Sequence, residues 1–142
     1  MNIRLRKILG YLGALPFIFL SLMPIFSFFP EDYIFYLLLS IYGGVILSFL
    51  GGMTWGWNQP NVSPIYLIVG IFISLVGFFV ISISNMFLIY SLFISLLGFI
   101  GFYFFELQAS DFMHDKGYKL LRRNLTIIVS LCYLIALYNF NY

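Results

Sequence analysis

The chain has 142 residues, of which 63% are hydrophobic and only 8% charged, with a formal net charge of +2. Soluble domains carry roughly 25% charged residues, and a chain this short buries only about two-thirds of the surface its unfolded form exposes. A soluble globular fold is therefore excluded, and the solvent for most of this apolar surface is a bilayer. The single cysteine, Cys132, cannot form a disulfide within the chain, and with the single histidine, His114, it makes no metal-ligand pattern.

A basic head with Arg4, Arg6 and Lys7 leads into an apolar run over about 8–28. That run is long enough for a membrane span, which takes about 20 residues, and no small-residue cleavage site of the secretory kind follows it. Pro16 removes the hydrogen bond to the carbonyl of Leu12, so a kink is expected there. Phe29-Pro30-Glu31-Asp32 reads as a turn opening the second span, over about 33–57, with its carboxylates at the positive helix start. The polar stretch from Asn58 to Ser63 is the next turn, with Ser63 as N-cap and Pro64 at the first helical position. The third span covers about 64–82, and a short turn at Ser84-Asn85 separates it from the fourth, over about 86–107. A polar segment over 108–120 follows, part of it expected as an interfacial helix broken at Gly117, and the fifth span covers about 121–140.

The predicted fold is thus all-α, a single domain of five transmembrane helices. All seven basic residues fall in the N-terminal head and in the segment after the fourth span. With five spans both lie on one side, so the positive-inside rule predicts a cytoplasmic N-terminus and an outside C-terminus. Merging the third and fourth spans would put the two basic clusters on opposite faces. Trp55 and Trp57 are expected as interfacial belt residues on the cytoplasmic side.

Four sets of residues stand out. Gly44, Ser48, Gly52 and Gly56 fall four apart on the second span, a stripe of small residues that lets another helix approach closely. An internal seam is favoured over a dimer contact, because the third and fourth spans carry small faces of their own. Glu106 is an ionisable group at the edge of the fourth span, for which Arg122 is the preferred partner and Arg123 the alternative. Asp111, His114 and Asp115 would lie near one another on a helix; two carboxylates and one imidazole on a wet segment read first as a solvated face, and only second as a metal or acid–base site. Lys116, Lys119, Arg122 and Arg123 are explained by topology, with anionic headgroups as further partners.

Three blocks of sequence resemble a known family. They are Leu9-Gly10-Tyr11-Leu12-Gly13 with Pro16-Phe17, then Ile46-Leu47-Ser48-Phe49-Leu50-Gly51-Gly52 with Trp55-Gly56, then Tyr118-x-x-Leu121-Arg122-x-x-Leu125-Thr126. In this order they are similar to the domain-of-unknown-function 3429 (DUF3429) family, small bacterial inner-membrane proteins with a mitochondrial relative in animals. The family usually has a tryptophan where Gly117 stands, so one interfacial anchor is missing here. The resemblance implies a multi-pass protein of the bacterial inner membrane and implies no activity.

No phosphate loop, dinucleotide fingerprint or nucleophile elbow occurs. No histidine and no mid-span acid lies within a predicted span. The expectation is a protein without catalytic residues or cofactor, with membrane lipids, a protein partner or further copies of itself as partners and no nucleic acid. An accessory or assembly component ranks first, a small oligomeric transporter or channel second, and a lipid-active enzyme at the cytoplasmic interface third.

Overall fold

The computed structural model describes residues 3–26, 32–58 and 60–141. The expected turn at Phe29, Pro30 and Glu31, like Gln59 of the second turn, lies outside the described residues. Among the described residues, five α-helices run in chain order: α1 (Ile3–Phe26), α2 (Asp32–Met53), α3 (Pro64–Ile83), α4 (Leu88–Ala109) and α5 (Lys116–Asn141). All five are long and apolar enough to cross a membrane. Short 3₁₀ turns follow α2, at Thr54–Gly56, and α4, at Asp111–His114.

The helices alternate in direction, so the N-terminus and the α2–α3 and α4–α5 connections share one end. Asn58 contacts Ala109 and Asp111 there, and Arg6 lies over Phe112. At the opposite end the Tyr33 hydroxyl donates to the carbonyl of Asn85, 3.2 Å away. The seven basic residues therefore all belong to the first end, called here the basic end. α1, α2, α4 and α5 pack as a ring, and α3 lies outside it against α2 and α4. Phe17, Phe99 and Tyr133 meet in the ring's centre at centroid separations of 5.6–6.0 Å. The outward face of α3, with Ile68, Phe72 and Phe78, is exposed and apolar, as a lipid-facing surface must be.

Lipid tails are as apolar as leucine, so burying leucine does not drive helices together in a membrane; close backbone contact and hydrogen bonds do. The α2–α3 pair, the most extensive in the bundle, is built that way. Ser48 Oγ donates to the Ser74 carbonyl and Ser74 Oγ to the Ser48 carbonyl, each at 3.1 Å. On either side, Gly44 faces Gly77 and Gly51 faces Gly70 so closely that a Cβ on any of the four would collide with the backbone carbonyl opposite. The small stripe is therefore Gly44, Ser48 and Gly51. Gly52 and Gly56, which the four-residue step nominated, have nothing within 4 Å of where a Cβ would be. The physical reason is that a helix has 3.6 residues per turn, so a strict step of four drifts off the seam, and the alternation of four and three stays on it.

Other boundaries also differ from expectation. α5 begins at Lys116, so Gly117 lies within its first turn and the polar connection shrinks to Ser110–Asp115. Asp115 Oδ1 accepts the Gly117 amide at 2.9 Å, an N-cap that lets the helix start this early. α1 continues through both Pro16 and Pro24. Next to the Leu12 carbonyl that Pro16 leaves without its helical donor, the Tyr42 hydroxyl of the neighbouring helix donates to the Gly13 carbonyl at 2.8 Å. Trp55 is exposed, but Trp57 is fully buried against Phe102 and Phe105 and is a core residue rather than a belt residue.

Overpacking costs typically about 1–3 kcal/mol, and at this seam the obstacle is backbone rather than a side chain that can turn aside. Gly51→Leu and Gly77→Leu should each lower stability by that amount or more in a detergent unfolding titration. Gly52→Leu, one residue away and open, should stay within about 0.5 kcal/mol.

Candidate functional site

At the basic end the last turn of α4 places Glu106 inside the bundle, with no exposed surface. Residues four apart on a helix project from one face, and Tyr118 and Arg122 of α5 both turn toward that carboxylate. The Tyr118 hydroxyl donates to Glu106 Oε1 at 2.6 Å. Arg122 Nε donates to Oε2 at 2.9 Å. Both carboxylate oxygens are engaged. Glu106 stands at the negative end of α4 and Arg122 in the early, positive part of α5, each the unfavourable sign for its own helix dipole. Their pairing offsets both penalties along with the cost of burial.

Around this pair the end is tied together from every side. The Arg6 guanidinium of α1 lies 5.1 Å from the Phe112 ring and 5.9 Å from the Tyr118 ring, at cation–π distance. Asn58 adopts a left-handed backbone with φ of 55°, a conformation asparagine tolerates better than most residues. From there its Nδ2 donates to the Ala109 carbonyl at 2.8 Å and its Oδ1 accepts the Asp111 amide at 2.9 Å. It thus closes the end of α4 and the start of the following turn.

Arg123, the alternative partner for Glu106, is exposed. The three residues Asp111, His114 and Asp115 are not gathered into a site. Asp111 and His114 sit in a 3₁₀ turn instead of an α-helix, and Asp115 is extended and spends its carboxylate capping α5. Among the described residues no three His, Cys, Asp or Glu side chains converge as a metal would need.

Next to Arg122 a cleft of about 180 Å³ opens between α1, α2 and α5. Its wall is apolar apart from Arg122 and Thr126. A family model described as "Protein of unknown function (DUF3429)" matches residues 3–138. The chain belongs to this family. No curated protein and no solved structure matches it. In this DUF3429 protein the three sequence blocks come together at the cleft: Gly10 and Gly13 from the first, Ile46 and Leu50 from the second, Arg122 and Leu125 from the third.

Sequence reasoning missed Tyr118, Asn58 and Arg6. The first had a readable signal, since Tyr118 and Arg122 are four apart in one block. The others had none, because each reaches a residue far along the chain.

Removing one member of a buried ion pair leaves the other uncompensated, at about 3–5 kcal/mol. Arg122→Gln should cost that much in a detergent unfolding titration. Tyr118→Phe should cost about 1–3 kcal/mol, the penalty for a buried acceptor left short of a donor. The double variant Glu106→Gln/Arg122→Gln should be more stable than Arg122→Gln alone.

Proposed function

We propose that the chain is a non-catalytic integral membrane protein, an accessory or assembly component of the bacterial inner membrane, with its N-terminus in the cytoplasm. The observation that carries this reading is that the buried carboxylate is fully committed to holding the fold. Glu106 has both oxygens occupied by Tyr118 and Arg122, and neither is free to act as acid, base or ligand. Among the described residues the buried ion pair serves structure, which supports a role played through the protein's surface. Most of that surface is lipid-facing side chains, so its partners are met within the membrane plane.

A transport path within one chain finds no support in the bundle centre. Phe17, Phe99 and Tyr133 fill it, and the serines Ser40, Ser91 and Ser95 are bonded to each other and to backbone. The placement of all seven basic residues at one end supports the orientation through the positive-inside rule.

Solubilisation of native membranes in mild detergent, followed by sizing and identification of each polypeptide present, tests the reading. A second polypeptide in fixed proportion is expected, together with no solute flux when the purified protein is placed in vesicles. A lone 16.5 kDa chain with no companion, or a measurable flux, would contradict it.

A further inference from the structure

The cleft beside Arg122 changes character along its length. Arg122 lies at the basic end, and Phe17, Phe99 and Val129 lie at the deep end. From Arg122 to Val129 is about 10 Å along α5 at 1.5 Å per residue, so the cleft runs from headgroup depth toward the bilayer middle. Gly13 opens its α1 wall, whereas Gly10 is packed against Leu121 and Leu125. A Cβ on Gly13 would meet no atom within 4 Å, so the space beside it is unfilled. Leu9 and Phe49, which also line it, are 57% and 66% exposed, which puts the opening on the lipid-facing side of the bundle. Apolar cavities of about 150 Å³ stay dry and accept hydrocarbon.

The charge at the shallow end is unbalanced. Glu106 is one carboxylate at an end that carries two half-buried guanidiniums, Arg6 and Arg122. Arg122 pairs with it, whereas Arg6 is held by the rings of Phe112 and Tyr118 and makes no salt bridge among the described residues. Arg4, Lys7, Lys119 and Arg123 are exposed on the same two helices. The other acids of this end, Asp111 and Asp115, are exposed on the α4–α5 turn, and Asp115 caps α5.

We propose that this cleft is a binding site for an anionic phospholipid. One acyl chain lies along Gly13 and Phe17, and the phosphate meets the shallow edge at Arg122, with Arg6, one helical turn before Gly10 on α1, adding positive charge nearby. Guanidinium groups suit phosphate oxygens because their planar donors match them in pairs. The adjoining apolar groove selects a lipid over free phosphate, and the surplus positive charge selects an anionic lipid over a zwitterionic one. The site goes beyond the accessory role and stands whether or not a protein partner exists.

Phosphatidylglycerol and phosphatidylcholine carrying a photoreactive group in mid-chain, each supplied in nanodiscs holding the purified protein, test this by peptide mapping of the labels. The phosphatidylglycerol label should concentrate several-fold on the segments 9–17, 46–50 and 125–129 relative to the outer face of α3, and the phosphatidylcholine label should not. Gly13→Phe places a ring where a Cβ enters without contact, so the protein should still fold and lose the enrichment. Arg6→Gln should reduce the preference for phosphatidylglycerol while leaving residual label in the cleft. Even labelling of all lipid-facing helices, or equal labelling by the two lipids, would overturn the proposal. The unsubstituted protein alone decides between these outcomes if Gly13→Phe does not fold.

Discussion

Between Ser48 of α2 and Ser74 of α3 nothing thicker than a hydroxymethyl group separates two helix backbones. The rest of the bundle depends on contacts of this kind. In water, the leucines and phenylalanines of this chain would drive association by leaving solvent. In a bilayer they gain little by exchanging lipid for protein. What remains is close packing of backbones, hydrogen bonds with no competing water, and shape. The seam of Gly44, Ser48 and Gly51 against Gly77, Ser74 and Gly70 uses the first two together. It attaches the peripheral helix α3 to the ring. Gly43, on the neighbouring face of α2, does the same for Tyr133 of α5, whose hydroxyl sits where a Cβ would be and donates to the Leu39 carbonyl.

The basic end follows a different rule. Charged groups cannot be left alone at membrane depth, and Glu106 draws Tyr118 and Arg122 of α5 toward α4. Arg6 then stacks on the rings those contacts bring together. The same attraction that closes this end leaves Arg6 with no salt bridge among the described residues and an apolar groove beside Arg122. The chain thus shows two modes of cohesion, one apolar and backbone-mediated along α2 and α3, the other electrostatic where α1, α4 and α5 meet the interface. The lipid site belongs to the boundary between them.

Five spans were legible in the sequence because long apolar runs, short polar breaks and one-sided basic charge agree on one count. The pairing of Glu106 with Arg122 was readable for a related reason: so few charges lie near the spans that the choice of partners is short. The register of the small stripe was not readable from a fixed step of four, since Gly51 and Gly52 are adjacent and only the partner helix distinguishes them. Trp57 looked like an interfacial anchor because Trp55 stands two residues earlier; a 3₁₀ turn at Thr54–Gly56 instead directs Trp57 inward. The Asp111, His114 and Asp115 grouping assumed one continuous α-helix, whereas Asp115 has an extended backbone and turns its carboxylate to the start of α5. Asn58 gave no local clue at all, because its role is to join two connections far apart in sequence.

Cysteine cross-linking in intact membranes tests the seam most directly, in a chain whose only native cysteine is removed by Cys132→Ala. Under mild oxidation, Ser48→Cys/Ser74→Cys should form a disulfide within one chain, and Gly52→Cys/Ser74→Cys should not. Dimers linked through Gly52→Cys, with no bond within the chain for Ser48→Cys/Ser74→Cys, would mean that the small stripe faces a second copy and that the bundle is held together by something else.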